Sequence, residues 1–175
     1  MSALRLINET TGTSTSSFQV TDIFNSDFDI YKLTINNIDF ANANYLRCRF
    51  INSSGSVVSA TNYDWAFLDM TSNAAYVDTK NTNQNDIAIG YGGGTTTAWA
   101  AGFTMYVFNP FSSSSYTFML SQSATNISAS TFVGSKGISV LKQTASMKGI
   151  EFHLASSGVF DTIQLRTYGL RVDNG

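Results

Sequence analysis

The sequence predicts an all-β domain, an antiparallel β-sandwich of jelly-roll type with eight to ten strands. Three observations lead there. Period-2 alternation of apolar and polar residues recurs along the chain, and no ten-residue window carries a helical stripe. The composition is rich in strand-forming aromatics, with 13 Phe and 8 Tyr among 175 residues. Short apolar runs are punctuated by Gly, Ser, Thr and Asn at close spacing, as in sandwiches and barrels.

In chain order, Met1 to Ile7 reads as a short opening strand. The Thr/Ser/Gly stretch from Thr10 to Ser17 reads as a turn or loose arm, so residues 1–17 are set apart from a single domain over 18–175. From Ile30 to Ile38, Tyr31, Leu33 and Ile35 share one face and Lys32, Thr34 and Asn36 the other. Tyr45 to Ile51 alternates more sharply. Leu46, Cys48 and Phe50 point to a core, Arg47 and Arg49 to solvent or a partner, before Asn52-Ser-Ser-Gly55 turns the chain. Asp64 to Met70 is apolar on both faces, which suits a central or covered strand. Residues 71–97 are rich in Asn, Thr and Gly and read as a loop-rich insertion on the sandwich. Phe103 to Asn109 and Tyr116 to Ser121 form the best hairpin, joined through Pro110, the one proline, and a run of serines. Gly137 to Leu141, Ile150 to Ala155 and Ile163 to Val172 complete the strands.

A chain of this length buries about 70 % of its unfolded-state surface and needs no covalent staple. Charged residues are only 13 % of the chain, with ten basic against twelve acidic side chains and a net charge of −2, which implies a neutral, polar surface. No basic stripe is present to neutralise phosphates, so no nucleic-acid partner is expected. Residues 1–20 show no leader pattern, and no apolar run approaches the ~18 residues of a membrane span; a protein made in the cytosol, with no membrane partner, is expected. Cys48 has no second cysteine to pair with and is expected buried and inert.

Side chains that could carry chemistry do not assemble into a motif. His153 alternates with Phe152 and Leu154, beside Glu151 on an outward face, and has no companion histidine or cysteine for a metal. No Gly-x-Ser-x-Gly elbow places a nucleophile near it. Gly90-Tyr-Gly-Gly-Gly lacks the Lys-Ser/Thr ending of a phosphate loop, and Asp27-x-Asp29 lacks the spacing of a calcium loop. Asp64, Asp69, Asp78, Asp86, Glu151 and Asp161 are the carboxylates from which a glycosidase pair would have to come, and nothing in the sequence singles out two of them. The expectation is a protein with no enzymatic activity, no cofactor and no metal. Its aromatics in or beside polar loops, Trp99, Tyr91 and Tyr63, are candidates for sugar stacking or for an interface, Phe111 joins Trp99 and Tyr91 as a candidate for contacts between copies, and the partner-binding residues are otherwise unknown.

Leu46-Arg-Cys-Arg-Phe-Ile-Asn-Ser-Ser-Gly followed by Asn62-Tyr63, then Met105-Tyr-Val-Phe-Asn-Pro with Ser115-Tyr116, then Gly158 and Ile163 leading into Tyr168-Gly-Leu-Arg171, resembles small virion proteins of tailed bacteriophages. Those carry a strand of the type LRFN-S-G-NY and close on a Tyr-Gly-Ile/Leu-Lys/Arg tail. The resemblance implies a structural protein of the virion, assembled in the host cytoplasm. Its first reading is a capsid decoration (cement) protein, bound to the major capsid protein lattice and arranged as a homotrimer on threefold axes. The alternative is the receptor- or glycan-binding tip of a tail fibre. The sequence begins at a methionine and carries no coiled-coil or collagen-like stem, which favours decoration.

Overall fold

Strand-forming residues at alternating positions become strands here with few exceptions. The structure is a computed structural model that describes residues 4–40, 44–73, 76–92 and 99–170. Among the described residues there are twelve strands: β1 (Leu4–Thr15), β2 (Ser17–Val20), β3 (Ile30–Phe40), β4 (Asn44–Asn52), β5 (Tyr63–Thr71), β6 (Val77–Gln84), β7 (Ile87–Gly92), β8 (Ala101–Phe108), β9 (Thr117–Ser128), β10 (Thr131–Leu141), β11 (Met147–Leu154) and β12 (Phe160–Leu170). All pairings are antiparallel. Eight strands form one sheet in the order β1-β12-β3-β8-β9-β10-β5-β6, and four form a second in the order β2-β11-β4-β7. The fold is all-β and sandwich-like.

The strand count exceeds the eight to ten expected because polar segments pair as well. Thr10 to Thr15 is not a loose arm: β1 runs through it, matched to β12 from Leu4↔Leu170 to Thr15↔Phe160. Residues 71–97 are not simply excursions. β6 borders β5, and Ile87, Ala88 and Ile89 of β7 are core residues. Residues 74–75, 93–98 and 171–175, and with them Ala74, the end of the glycine run, Arg171 and Val172, lie outside the described residues. The β8–β9 hairpin forms where expected, with Phe108 opposite Phe118.

The core lies between the sheets. Leu33, Ile35, Met105, Val107, Ile163 and Leu165 from the larger sheet meet Leu46, Cys48, Phe50, Ile150 and Phe152 from the smaller, all of them inaccessible to solvent. Phe24 packs edge-on against Tyr31 at 4.9 Å between ring centres, and the Tyr31 hydroxyl donates to the Asn25 carbonyl. At Gly149, in a bulge of β11, an added Cβ would lie 2.3 Å from the Val20 carbonyl oxygen, so only glycine lets β2 approach.

β7, at the margin of the smaller sheet, has backbone groups that no strand of that sheet can satisfy. Serines on β9 and β10 take them. Ser121 donates to the Ile89 carbonyl, Ser123 to the Tyr91 carbonyl, and the Tyr91 N–H donates to Ser135 Oγ. Gly90 lies directly under these hydroxyls with φ +153°, and a Cβ there would stand 2.8 Å from that of Ser135. Beyond β7, β5 reaches the other face of β4. The Tyr45 ring lies 5.4 Å from that of Phe67, and the Arg47 guanidinium 5.9 Å from the Trp65 ring centre. The larger sheet therefore curls past the β7 margin, which buries β7 on both faces.

Candidate interaction surface

The polar side chains that alternation turns away from the core gather on the smaller sheet. Arg47 and Arg49 from β4, Glu151 and His153 from β11, and Asp86 just before β7 come together there. Asp86 accepts from Arg47 Nη1 at 2.7 Å, lies 3.2 Å from His153 Nε2, and is 3.9 Å from Arg49 Nη2. Glu151 accepts from Ser17 Oγ at 2.8 Å and Gln19 Nε2 at 3.1 Å, and lies 3.6 Å from Arg49 Nη1. Burial alone would raise the Asp86 carboxyl, but the His153 contact and the Arg47 charge outweigh it and hold it below its ordinary 3.8. Arg47 and Arg49 thus face away from the core, as alternation requires, but are engaged within the chain and only about a quarter exposed. Two carboxylates and a histidine do converge, on two arginines that neutralise them. The arrangement ties β2, β11, β4 and the start of β7 together.

The remaining carboxylates are dispersed. Asp69 is buried and accepts from Tyr45 Oη at 3.0 Å and from Ser135 Oγ. That neighbourhood, burial first and the Asp69 charge second, pushes the Tyr45 phenol well above its ordinary value. Asp64 pairs with Lys142 at 2.9 Å, and Asp78 and Asp161 are exposed. Asp27 and Asp29 are exposed in the turn before β3, where the Asp27 N–H donates to the Asn25 side chain. Among the described residues no group of three or more His, Cys, Asp or Glu could hold a metal ion.

The aromatics named from the sequence divide. Tyr63 is fully buried, not displayed: its hydroxyl donates to the Val58 carbonyl at 2.9 Å and accepts from the Phe50 N–H at 3.1 Å. Tyr91 packs edge-on against Tyr45 at 4.6 Å. Trp99 is half-buried, its carbonyl accepting from Thr125 Oγ1. Phe111 alone of the four is exposed, beside Pro110. Cys48 is buried, and burial pushes its thiol well above the usual value.

Among the described residues, one apolar surface that the sequence did not single out has no strand or loop packed on it. Strands β8, β9, β10 and β5 turn Thr117, Met119, Ser121, Ser135 and Phe67 inward, which leaves Phe118, Leu120, Ile138, Leu68, Met70 and Phe132 on the outer face, each between 39 % and 61 % exposed. The register makes them neighbours. Ile138 lies opposite Leu120 on one side and Ala66 on the other, and Val140 lies opposite Phe118. Beside the ridge of Ile138 and Phe118, the small Ala66 leaves an open groove of about 400 Å³ that reaches Lys80 and Thr82 on β6. β5 therefore has one covered face and one open face, although its residues are apolar on both.

No family model matches the chain, and no curated protein matches it.

Proposed function

We propose that the chain is a non-enzymatic structural protein of a tailed-phage virion, a capsid decoration protein that docks on the major capsid protein lattice. The observation that carries this reading is a contrast. The titratable side chains that converge are paired with one another inside the chain, whereas the outer face of β8, β9, β10 and β5 offers exposed Phe, Leu, Ile and Met with none of the described residues packed upon them. Such a division suits a protein that works by assembly rather than turnover. The strand pairing supports a jelly-roll framework of the kind common in shell proteins. β1 with β12, β2 with β11, β3 with β8 and β4 with β7 nest around the core, and β5-β6 and β9-β10 are hairpin-like additions to it.

Co-sedimentation tests the reading. Purified chain mixed with shells of the phage that encodes it should pellet with them at a fixed stoichiometry per capsid subunit and should ignore isolated tails. Binding to tails or to host-cell glycans alone would replace decoration with the fibre-tip reading.

A further inference from the structure

We propose that the apolar outer face of β8, β9, β10 and β5 is where a second copy of this chain docks, the two copies packing sheet face to sheet face about a twofold axis. The inference deepens the assembly reading and rests on it for the choice of a protein occupant.

Three features single out a second copy. The first is area. A fully exposed side chain of this size presents on the order of 150–250 Å², so Phe118, Leu120, Ile138, Leu68, Met70 and Phe132 at 39–61 % exposure offer on the order of 500–600 Å². The half-buried Tyr106, Phe108 and Val140 on the same face bring the total close to the roughly 800 Å² per partner of a stable interface.

The second is shape. The face holds both a ridge, at Ile138 and Phe118, and a groove beside it over Ala66. A twofold axis makes an interface of one patch against itself, so the ridge of each copy can enter the groove of the other. Sheets pack in this way about 10 Å apart. Around a threefold axis, a face four strands wide, about 15 Å at ~4.8 Å per strand, meets its neighbours only at its margins.

The third is charge. Lys136 and Lys80 share the face with Asp78: Lys136, Leu68 and Asp78 form one row across the strands, and Lys80 stands in the next row, opposite Ala66. Both signs are present, so a copy meets no field of its own sign and can set its lysines against the partner's carboxylate.

Sedimentation equilibrium of the full chain at about 100 µM, far above a micromolar dissociation constant, tests the pairing. The expected mass is twice the 19.0 kDa of one chain. Ile138→Lys and Leu120→Glu should each pull the average mass down toward that of a single chain, raising the dissociation constant about a hundredfold or more so that roughly half of the chains or more are single at this concentration, because each leaves an unpaired charge in a desolvated contact. Both sites lie on the surface, and an unchanged far-ultraviolet spectrum verifies folding. Leu6→Lys on β1, an equally exposed apolar side chain at the far margin of the same sheet, should leave the dimer intact. A wild-type chain of single-chain mass, a trimer, or a dimer indifferent to both substitutions would overturn the proposal. In the first case, shell binding that survives in the co-sedimentation assay would spare the decoration reading.

Discussion

Replacing Tyr63 by Phe removes one oxygen from the middle of the protein and tests how β4 and β5 are joined. The hydroxyl accepts from the Phe50 N–H on β4 and donates to the Val58 carbonyl, and neither group is replaced by water, because Tyr63 is fully buried. The ring remains, so little packing is lost. What changes is that a buried N–H is left without an acceptor and a carbonyl loses a donor. At about 1–3 kcal/mol for an orphaned buried polar group and about 1 kcal/mol for a lost hydrogen bond, the variant should be less stable by roughly 2–4 kcal/mol. That is a large part of the about 5–15 kcal/mol expected of a domain. Urea unfolding followed by tryptophan fluorescence measures it, and the midpoint should fall by about 1–2 M for a slope of about 2 kcal/mol/M. A loss under about 0.5 kcal/mol with an unchanged slope would refute the reasoning, since it would mean that water reaches Phe50 and Val58.

Three further outcomes follow from particular contacts. Cys48 should resist a polar thiol reagent in native buffer and react within seconds in denaturant, because it is buried and its thiol is pushed up; fast native labelling would invert the register of β4. Gly149→Ala should cost about 3 kcal/mol or more, read as a fall in the melting midpoint, since its Cβ would meet the Val20 carbonyl oxygen at 2.3 Å; a neutral effect would show that β2 can move away. Asp86 has a folded-state carboxyl held below 3.8, so the stability it confers is complete above that value and is lost as pH falls through the lower, folded one. Unfolding free energy measured from pH 6 downward should therefore drop below about pH 4. Asp86→Asn should flatten that drop, and an unaltered acid limb would show that the Arg47 and His153 contacts do not hold the carboxylate.

Much of the fold is legible because burial imposes phase. Leu46, Cys48 and Phe50 are inward, and Arg47 and Arg49 outward, as two-residue alternation requires. Tyr63 is read as displayed because its neighbour Asn62 suggests a loop, although it is in phase with the buried Trp65 and Phe67 and is itself buried. The serine-rich parts of β9 and β10 read as connections because inward positions there are polar. Ser121, Ser123 and Ser135 face the backbone of β7 instead of apolar side chains, and a sequence carries no sign of which strand margin needs a hydroxyl. β1 and β6 are strands at the two margins of the larger sheet and bury little, so Thr and Asn suffice and hydrophobic patterning is lost.

The candidate surface escaped for a related reason. Phe118, Met119 and Leu120 are all apolar, so alternation alone does not tell which phase is inward; in the fold it is Met119 that is buried. The joining of Asp86 to Arg47 and His153 is a long-range event, 39 and 67 residues apart, with no local motif.

The central claim, that this protein works by assembling on a phage shell, is tested most directly by electron cryomicroscopy of the intact particle. The account predicts density for the two-sheet domain on the outer surface of the capsid, with Ile138 and Leu120 enclosed at a contact between copies. Density at the tail tip would contradict it, whereas density on the shell with that face bare to solvent would keep the decoration and overturn the pairing of copies.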